Sequence, residues 1–150
     1  MGASGYIVKP FNEKELKSTI KSILDERITM AKILIVDDQL EVRELVEVTL
    51  RVGDYQMLKA KSGEEAIKIV KAENPSLIIM DIMMPGGMDG LEATRIIKND
   101  PKTQDCKIIL LTAKGQQSDK EKGFAVGADD YFTKPFSPLE LIKKVEEILG

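Results

Sequence analysis

Residues 32–38 read KILIVDD, a run typical of a β-strand that is followed directly by two aspartates. The strand KILIV is apolar and rich in β-branched side chains, as expected where a sheet is covered on both faces. SLIIM (76–80) and KIILLT (107–112) repeat this pattern. YQMLKA (55–60) is a more polar strand that belongs near a sheet edge, and DYFTK (130–134) is a further strand. These runs predict a sheet of five strands.

Amphipathic helices separate the strands. After the first strand, one helix face is predicted to carry Val42, Leu45, Val46, Thr49 and Leu50. Further helices are predicted at SGEEAIKIVKAEN (62–74), DGLEATRIIKND (89–100), QQSDKEKGFAVG (116–127) and SPLELIKKVEEIL (137–149). Regular alternation of this kind predicts a doubly wound α/β fold, in which right-handed crossovers connect parallel strands.

Composition excludes several classes of function. The chain has 150 residues, enough for one domain with or without an appendage. A net charge of −3 and the absence of Trp give no reason to expect nucleic acid as a partner. No apolar run could span a membrane and no signal peptide is recognisable, and the single cysteine, Cys106, suits a reducing cytoplasm. Histidine is absent, which excludes a histidine-activated nucleophile, a histidine metal ligand and a phosphohistidine in this chain.

Polar residues stand at the carboxyl ends of the strands, where ligands bind in such folds. Asp37 and Asp38 follow the first strand, Asp81 follows the third, Thr112 ends the fourth and Lys134 ends the fifth. Taken singly, an acid after a strand is commonly a helix cap, and a lysine before proline is commonly a surface residue. Their joint occurrence on one rim predicts a functional site.

The chemistry of this cluster favours a hard cation. Three close carboxylates repel one another unless a cation joins them, and no histidine or cysteine cluster is present to select zinc. An all-oxygen site suits Mg²⁺, with Mn²⁺ as the alternative. A carboxylate beside a metal ion, a hydroxyl group and a lysine can accept a phosphoryl group.

Four segments resemble the signatures of the receiver domain of two-component response regulators, and in particular of chemotaxis-type regulators. They are ILIVDDQ (33–39), IIMDIMMPGGMDG (78–90), ILLTAKG (109–115) and GADDYFTKPF (127–136). The resemblance spans residues 31–150 and implies a flavodoxin-like five-stranded parallel sheet of order 2-1-3-4-5. It also implies a phosphorylatable signalling switch that depends on Mg²⁺.

The resemblance implies a role for each residue that handles the phosphoryl group. Asp81 would be the phosphoacceptor, Thr112 would hydrogen-bond the phosphoryl group, and Lys134 would form an ion pair with it. Tyr131 matches the aromatic position whose ring turns inward when the threonine moves. The Lys134–Pro135 bond is expected to be cis.

The metal ligands are likewise implied by the resemblance. Asp38 and Asp81 would bind Mg²⁺ directly, Asp37 would bind largely through water, and Met83 would contribute its backbone carbonyl. Two departures from the family pattern concern this region. Gly86-Gly87 makes the neighbouring loop one residue longer, and the Met83 side chain cannot orient water, which leaves the phosphoryl lifetime open.

The expected partner is a histidine kinase or a phosphotransfer protein, since the chain has no histidine of its own. The protein is not expected to be a metabolic enzyme, although it would assist its own phosphorylation and slow autodephosphorylation. No output domain is recognisable up to Gly150, so output is expected through an unidentified partner or a domain outside this sequence. A dehalogenase-type hydrolase would need DxDxT after the first strand, and a flavin binder would need a loop without two acids there.

The start of the chain repeats part of its end. GASGYIVKPF (2–11) closely matches GADDYFTKPF (127–136). The match duplicates two site positions, Tyr6 for Tyr131 and Lys9 for Lys134. Residues 1–29 are therefore predicted to be an extra strand–helix unit from another receiver, preceding a complete receiver at 30–150.

The repeat leaves two origins open, a fragment of a tandem-receiver protein or an engineered fusion. A fusion made to study folding or domain-swapped assembly would have no natural signalling output. Segments 5–24 and 130–149 compete for one edge position of the sheet, and we expect the native copy, 130–149, to occupy it. The displaced unit would expose an apolar helix face and a strand edge, so we expect it to dock on another chain and form a homodimer.

Overall fold

Five parallel strands form a single sheet of order β2-β1-β3-β4-β5 in the computed structural model, which describes residues 30–113, 121–122 and 124–150. The strands are β1 (Lys32–Val36), β2 (Gln56–Ala60), β3 (Leu77–Asp81), β4 (Lys107–Ala113) and β5 (Asp130–Lys134). The helices are α1 (Leu40–Leu50), α2 (Gly63–Glu73), α3 (Gly90–Lys98) and α4 (Pro138–Leu149). Residues 121–122 and 124–125, between β4 and β5, are also helical. The predicted doubly wound fold and its strand order are confirmed.

Two predictions on the chain's organisation have different outcomes. Residues 130–134 pair in parallel with β4, so the native copy occupies the edge position as expected. The predictions for the extra unit at 1–29, with Tyr6 and Lys9, lie outside the described residues, as does much of the helix predicted at 116–127. Within the described ranges, no helix combines the length and the apolar character needed to cross a membrane.

The core lies on both faces of the sheet because successive strand residues point to opposite sides. On one face, Leu34 and Ile78 pack in a cluster that also contains residues of α2 and α3. On the other face, Ile33 and Ile79 pack in a cluster with residues of α1 and α4. Every residue of β3 is buried, as expected for the central strand. Each of these fully buried Ile and Leu side chains contributes about 1.5–3 kcal/mol of hydrophobic stabilisation.

Side-chain caps fix where the helices begin. The Ser62 hydroxyl accepts a hydrogen bond from the amide of Glu65, and the Ser137 hydroxyl accepts one from the amide of Glu140. Asp89 caps α3 in the same way. These caps satisfy amides that the first turn leaves unpaired. They start each helix just after a strand or loop on the rim that carries the polar residues.

The apolar stripe of α1 is narrower than predicted. Val46, Thr49 and Leu50 are buried, whereas Leu45 is 51 % exposed. With about 3.6 residues per turn, Leu45 lies at the margin of the stripe centred near Val46 and Thr49. The prediction that Leu45 belongs to the buried face is therefore wrong.

Candidate functional site

The register of the sheet brings the predicted polar residues to one rim. Val36 pairs with Met80, so Asp37 and Asp81 occupy equivalent positions on adjacent strands. Ala113 pairs with Lys134 on the far side of β3. Thr112 is the penultimate residue of β4 rather than its last. Strand ends in register thus place residues distant in sequence around a common point.

Three carboxylates meet at this point. One oxygen each from Asp37, Asp38 and Asp81 lie within 4.8 Å of one another. Asp37 and Asp81 are 0 % and 6 % exposed, while Asp38 lies exposed at the mouth of the cluster. Two of the three acids are therefore held out of solvent, where an unbalanced negative charge is costly.

Lys134 supplies a positive charge to the buried acids. Its Nζ donates a hydrogen bond to Asp37 Oδ2 at 2.9 Å and lies 3.4 Å from Asp81 Oδ1. Burial works against the charged ammonium, but the hydrogen bond to Asp37 and the negative charge of Asp81 outweigh it and raise the pKa of Lys134. The lysine is thus fully charged near neutral pH and links the ends of β1, β3 and β5.

Asp81 is the acid most affected by its surroundings. The pKa of its carboxyl group is raised to about 6, first by burial and second by the neighbouring Asp37 carboxylate. Lys134 and a hydrogen bond from the Met83 amide, at 3.3 Å, offset part of this rise. A cation placed among the three acids would relieve the remaining repulsion.

The donor atoms fit a magnesium ion. All three side chains offer oxygen, the ligand that Mg²⁺ prefers. Asp37 already uses Oδ1 to accept from the Gln39 amide and Oδ2 to accept from Lys134. Asp38 stands exposed at the mouth of the cluster and Asp81 has a second oxygen besides Oδ1. The Asp37 oxygens are thus occupied by hydrogen bonds within the protein. Asp38 and Asp81 have oxygens that can bind a metal.

Four further predictions concern Thr112, Tyr131, Met83 and the Lys134–Pro135 bond. The Thr112 hydroxyl is buried and donates a long hydrogen bond, 3.4 Å, to the Ala113 carbonyl. Tyr131 is partly buried and packs edge-on against Phe124, with ring centroids 5.0 Å apart. Met83 is 67 % exposed. The Lys134–Pro135 bond is cis, which confirms that prediction.

Two residues that shape the site were missed by the sequence analysis. Gly90 packs so closely that a Cβ there would lie 2.3 Å from the Asp81 carbonyl oxygen. Arg43 reaches back from α1, and its Nη1 donates to the Asp37 carbonyl at 2.6 Å. Apolar periodicity reveals neither contact. The Asp-Gly pair at 89–90 was the available signal for Gly90.

The longer loop after β3 rests on the start of α2. The Met88 amide donates to Glu64 Oε2 at 3.3 Å, and Gly86 has a positive φ of 88°. Glu64 lies close enough to Gly87 that an added Cβ would meet its carboxylate at 2.7 Å. The additional glycine is thus accommodated within a bonded loop beside Asp81.

The chain is similar to known proteins. A family model described as the response regulator receiver domain matches residues 33–146. The phosphate regulon transcriptional regulatory protein PhoB of Pseudomonas aeruginosa is 44 % identical over 117 residues, covering 78 % of this chain and 51 % of that protein. The transcriptional regulatory protein YvrH of Bacillus subtilis is 47 % identical over 116 residues, covering 77 % and 47 %.

Solved structures agree with the sequence relatives. The chemotaxis response regulator CheY4 of Vibrio cholerae superposes with a TM-score of 0.73 at 33 % identity, covering 79 % of this chain and 98 % of that one. The chain therefore matches that regulator over almost its whole length, whereas it spans about half the length of the curated relatives.

Proposed function

Since the chain belongs to the receiver-domain family of response regulators, which are phosphorylated on an aspartate in two-component signalling, we propose that Asp81 is that aspartate. One observation carries the proposal. Asp81 ends the central strand and lies between two other carboxylates and Lys134, with Nζ 3.4 Å from Oδ1. Asp37 has the same neighbours, but both of its carboxylate oxygens already accept hydrogen bonds, from the Gln39 amide and from Lys134.

In the proposed reaction, a carboxylate oxygen of Asp81 attacks the phosphorus of the donor. A new oxygen–phosphorus bond forms, the bond from phosphorus to the donor breaks, and the leaving group takes that electron pair. A histidine that leaves in this way takes a proton from solvent, whereas acetate leaves as the anion. Lys134 balances the charge of the phosphoryl oxygens, and Thr112 donates a hydrogen bond to one of them. Bound Mg²⁺, held by Asp38, Asp81 and the Met83 carbonyl, and by Asp37 through water, would neutralise further charge.

The donor is proposed to be a histidine kinase or a phosphotransfer protein. The chain has no histidine, so the phosphohistidine must come from another protein. Since the receiver supplies the nucleophile and the balancing charges itself, a small phosphodonor such as acetyl phosphate should serve as well. Slow loss of the phosphoryl group to water would use the same residues.

The signal of the receiver is proposed to pass to another protein or to a domain outside this sequence. PhoB and YvrH are named transcriptional regulators, and the chain spans about half of each. The chain as a whole has a net charge of −3, which supports a protein partner rather than direct contact with nucleic acid. That expectation is a prediction, as is the cytoplasmic location.

The N-terminal repeat is proposed to be a second strand–helix unit that mediates a homodimer. The likeness of residues 2–11 to 127–136 supports this proposal, and either origin of the repeat is compatible with it. Light scattering of the full chain and of a form lacking residues 1–29 tests it. A full chain that is monomeric would contradict the dimer.

Phosphorylation by acetyl phosphate and Mg²⁺, followed by intact-mass measurement, tests the main proposal. We expect the wild type to gain one phosphoryl group and Asp81→Asn to gain none. Asp54→Asn, which changes an exposed aspartate between α1 and β2, is the matched control and should react like the wild type. An Asp81→Asn variant that is phosphorylated normally would contradict the assignment.

A further inference from the structure

The carbonyl of Asp37 lies where β1 stops pairing. Val36 is the last residue of β1 in register with both neighbouring strands. The Asp37 amide still donates to the Ala60 carbonyl at 3.1 Å, which ties the chain to the end of β2. The next polar group, the Asp37 carbonyl, accepts from Arg43 Nη1 at 2.6 Å. A side chain of α1 thus bonds the first backbone carbonyl beyond the paired part of β1.

Arg43 closes a short loop that carries two of the three acids. We call residues 37–39 the acid loop. Inside it, the Gln39 amide donates to Asp37 Oδ1 at 2.9 Å. The Arg43 amide donates to the Gln39 carbonyl at 3.2 Å, while its side chain bonds the Asp37 carbonyl. One residue therefore holds both ends of the acid loop, with Asp37 against Lys134 and Asp38 at the mouth.

Arg43 could affect metal binding in two ways, as a nearby positive charge or as a clamp on the backbone. The group that its guanidinium contacts distinguishes the two. The guanidinium bonds a main-chain carbonyl and no carboxylate of the cluster, so its contact fixes the backbone. As a nearby positive charge alone, Arg43 would repel a metal ion and weaken its binding. As a backbone clamp, it would strengthen metal binding by holding the ligands in place, as residues outside the ligand shell commonly do. The two roles predict opposite signs.

We propose that Arg43 is a positioning residue that raises the affinity of the site for a divalent cation. A charge-assisted hydrogen bond of this kind is among the stronger contacts in proteins and restrains the backbone between Asp37 and Asp38. The proposal rests on the proposed function, because it takes Asp38 as a metal ligand. The inference goes beyond that function by assigning a role to a residue of α1 that touches no metal. Arg43 would affect metal affinity by holding the acid loop in place.

Magnesium titration of the full chain by calorimetry tests the proposal with three variants. Arg43→Met removes the charge and the hydrogen bond but keeps an apolar stem. Arg43→Lys keeps the charge and one donor. Arg51→Met removes a second arginine just past the end of α1, where it is exposed and 3.9 Å from Glu47. It is the matched control.

We expect Arg43→Met to raise the Kd for Mg²⁺ about tenfold, the lower end of effects seen for residues behind metal ligands. Arg43→Lys should recover part of the loss, and Arg51→Met should bind like the wild type. Hydrogen exchange at the Gln39 amide should accelerate in Arg43→Met and not in Arg51→Met. Unchanged or tighter binding in Arg43→Met would overturn the positioning role.

Further outcomes distinguish a failure of this inference from a failure of the proposed metal site. A wild type that binds Mg²⁺ and is phosphorylated, with an Arg43→Met variant of equal affinity, would overturn this inference alone. A wild type that binds no Mg²⁺ would overturn both the inference and the proposed metal site. Where Arg43→Met does not fold, Arg43→Lys carries the test, and wild-type affinity together with wild-type exchange at Gln39 would contradict the proposal.

Discussion

Lys134 Nζ lies 2.9 Å from Asp37 Oδ2 and 3.4 Å from Asp81 Oδ1, so a single cation at the end of β5 joins the acids that follow β1 and end β3. Asp37 is fully buried, and its pairing with Lys134 is what makes that burial tolerable. Asp81 shares the same cation less closely and keeps a raised pKa, about 6. The metal-free site thus has one satisfied acid and one that is short of positive charge.

Replacing Asp81 should stabilise the metal-free protein. The raised pKa means that ionised Asp81 opposes folding, by about 1–3 kcal/mol for a shift of this size. The penalty is absent at low pH, where both states are protonated. It grows as pH rises from the unfolded value of 3.8 to the folded value of about 6, and is constant above it. In urea unfolding with EDTA, Asp81→Asn should therefore be more stable than the wild type at pH 7. At pH 3 the two proteins should be equally stable.

The matched control for this prediction is Asp54→Asn, which removes an exposed aspartate. Its stability should differ little from that of the wild type at either pH. Added Mg²⁺ should stabilise the wild type more than Asp81→Asn, because binding to the folded state raises its stability. An Asp81→Asn variant less stable than the wild type at pH 7 would show that the carboxylate is satisfied in the metal-free protein.

Removing the Lys134 ammonium should destabilise the protein. Lys134→Met leaves Asp37 buried without its cation, a change that typically costs about 3–5 kcal/mol. Asp37→Asn in the same chain should restore much of the loss, because no buried charge is then left unpaired. Chemical unfolding of the two single variants and the double variant measures this coupling. Additive effects would contradict it.

Lys144→Met provides the comparison for Lys134→Met. Lys144 also forms an ion pair, with Asp130 at 2.9 Å, but that pair lies on the surface. Exposed pairs contribute little to stability. We therefore expect a much smaller change than for Lys134→Met. Equal losses in the two variants would mean that burial of Asp37 does not set the cost.

The position of α3 depends on the absence of a side chain at residue 90. A Cβ on Gly90 would lie 2.3 Å from the Asp81 backbone oxygen, and backbone cannot move aside cheaply. Gly90→Ala should cost about 1–3 kcal/mol or more and reduce phosphorylation. Gly87→Ala, whose Cβ would meet only the end of the flexible Glu64 side chain, should cost less. Thermal unfolding of both variants decides this, and equal costs would contradict it.

The sequence predicted most of the fold because buried strands stand out as uninterrupted apolar runs such as SLIIM. It also predicted which residues meet, since Asp37, Asp81 and Lys134 end strands that a parallel sheet aligns. Leu45 was assigned to the wrong face because the helical spacing of apolar residues does not distinguish the margin of an apolar face from its centre. The contacts of Arg43 and Gly90 depend on how closely neighbouring elements approach one another, which apolar periodicity does not encode.

The central claim is that Asp81 carries the phosphoryl group, and chemical trapping of the phosphorylated chain tests it most directly. Borohydride reduces an aspartyl phosphate to homoserine, so peptide mass spectrometry after treatment with acetyl phosphate, Mg²⁺ and borohydride identifies the residue. We expect homoserine at residue 81, and no homoserine at residues 37 or 38 or when acetyl phosphate is omitted. Homoserine at residue 37 or 38 of the wild type, with residue 81 unchanged, would contradict the account.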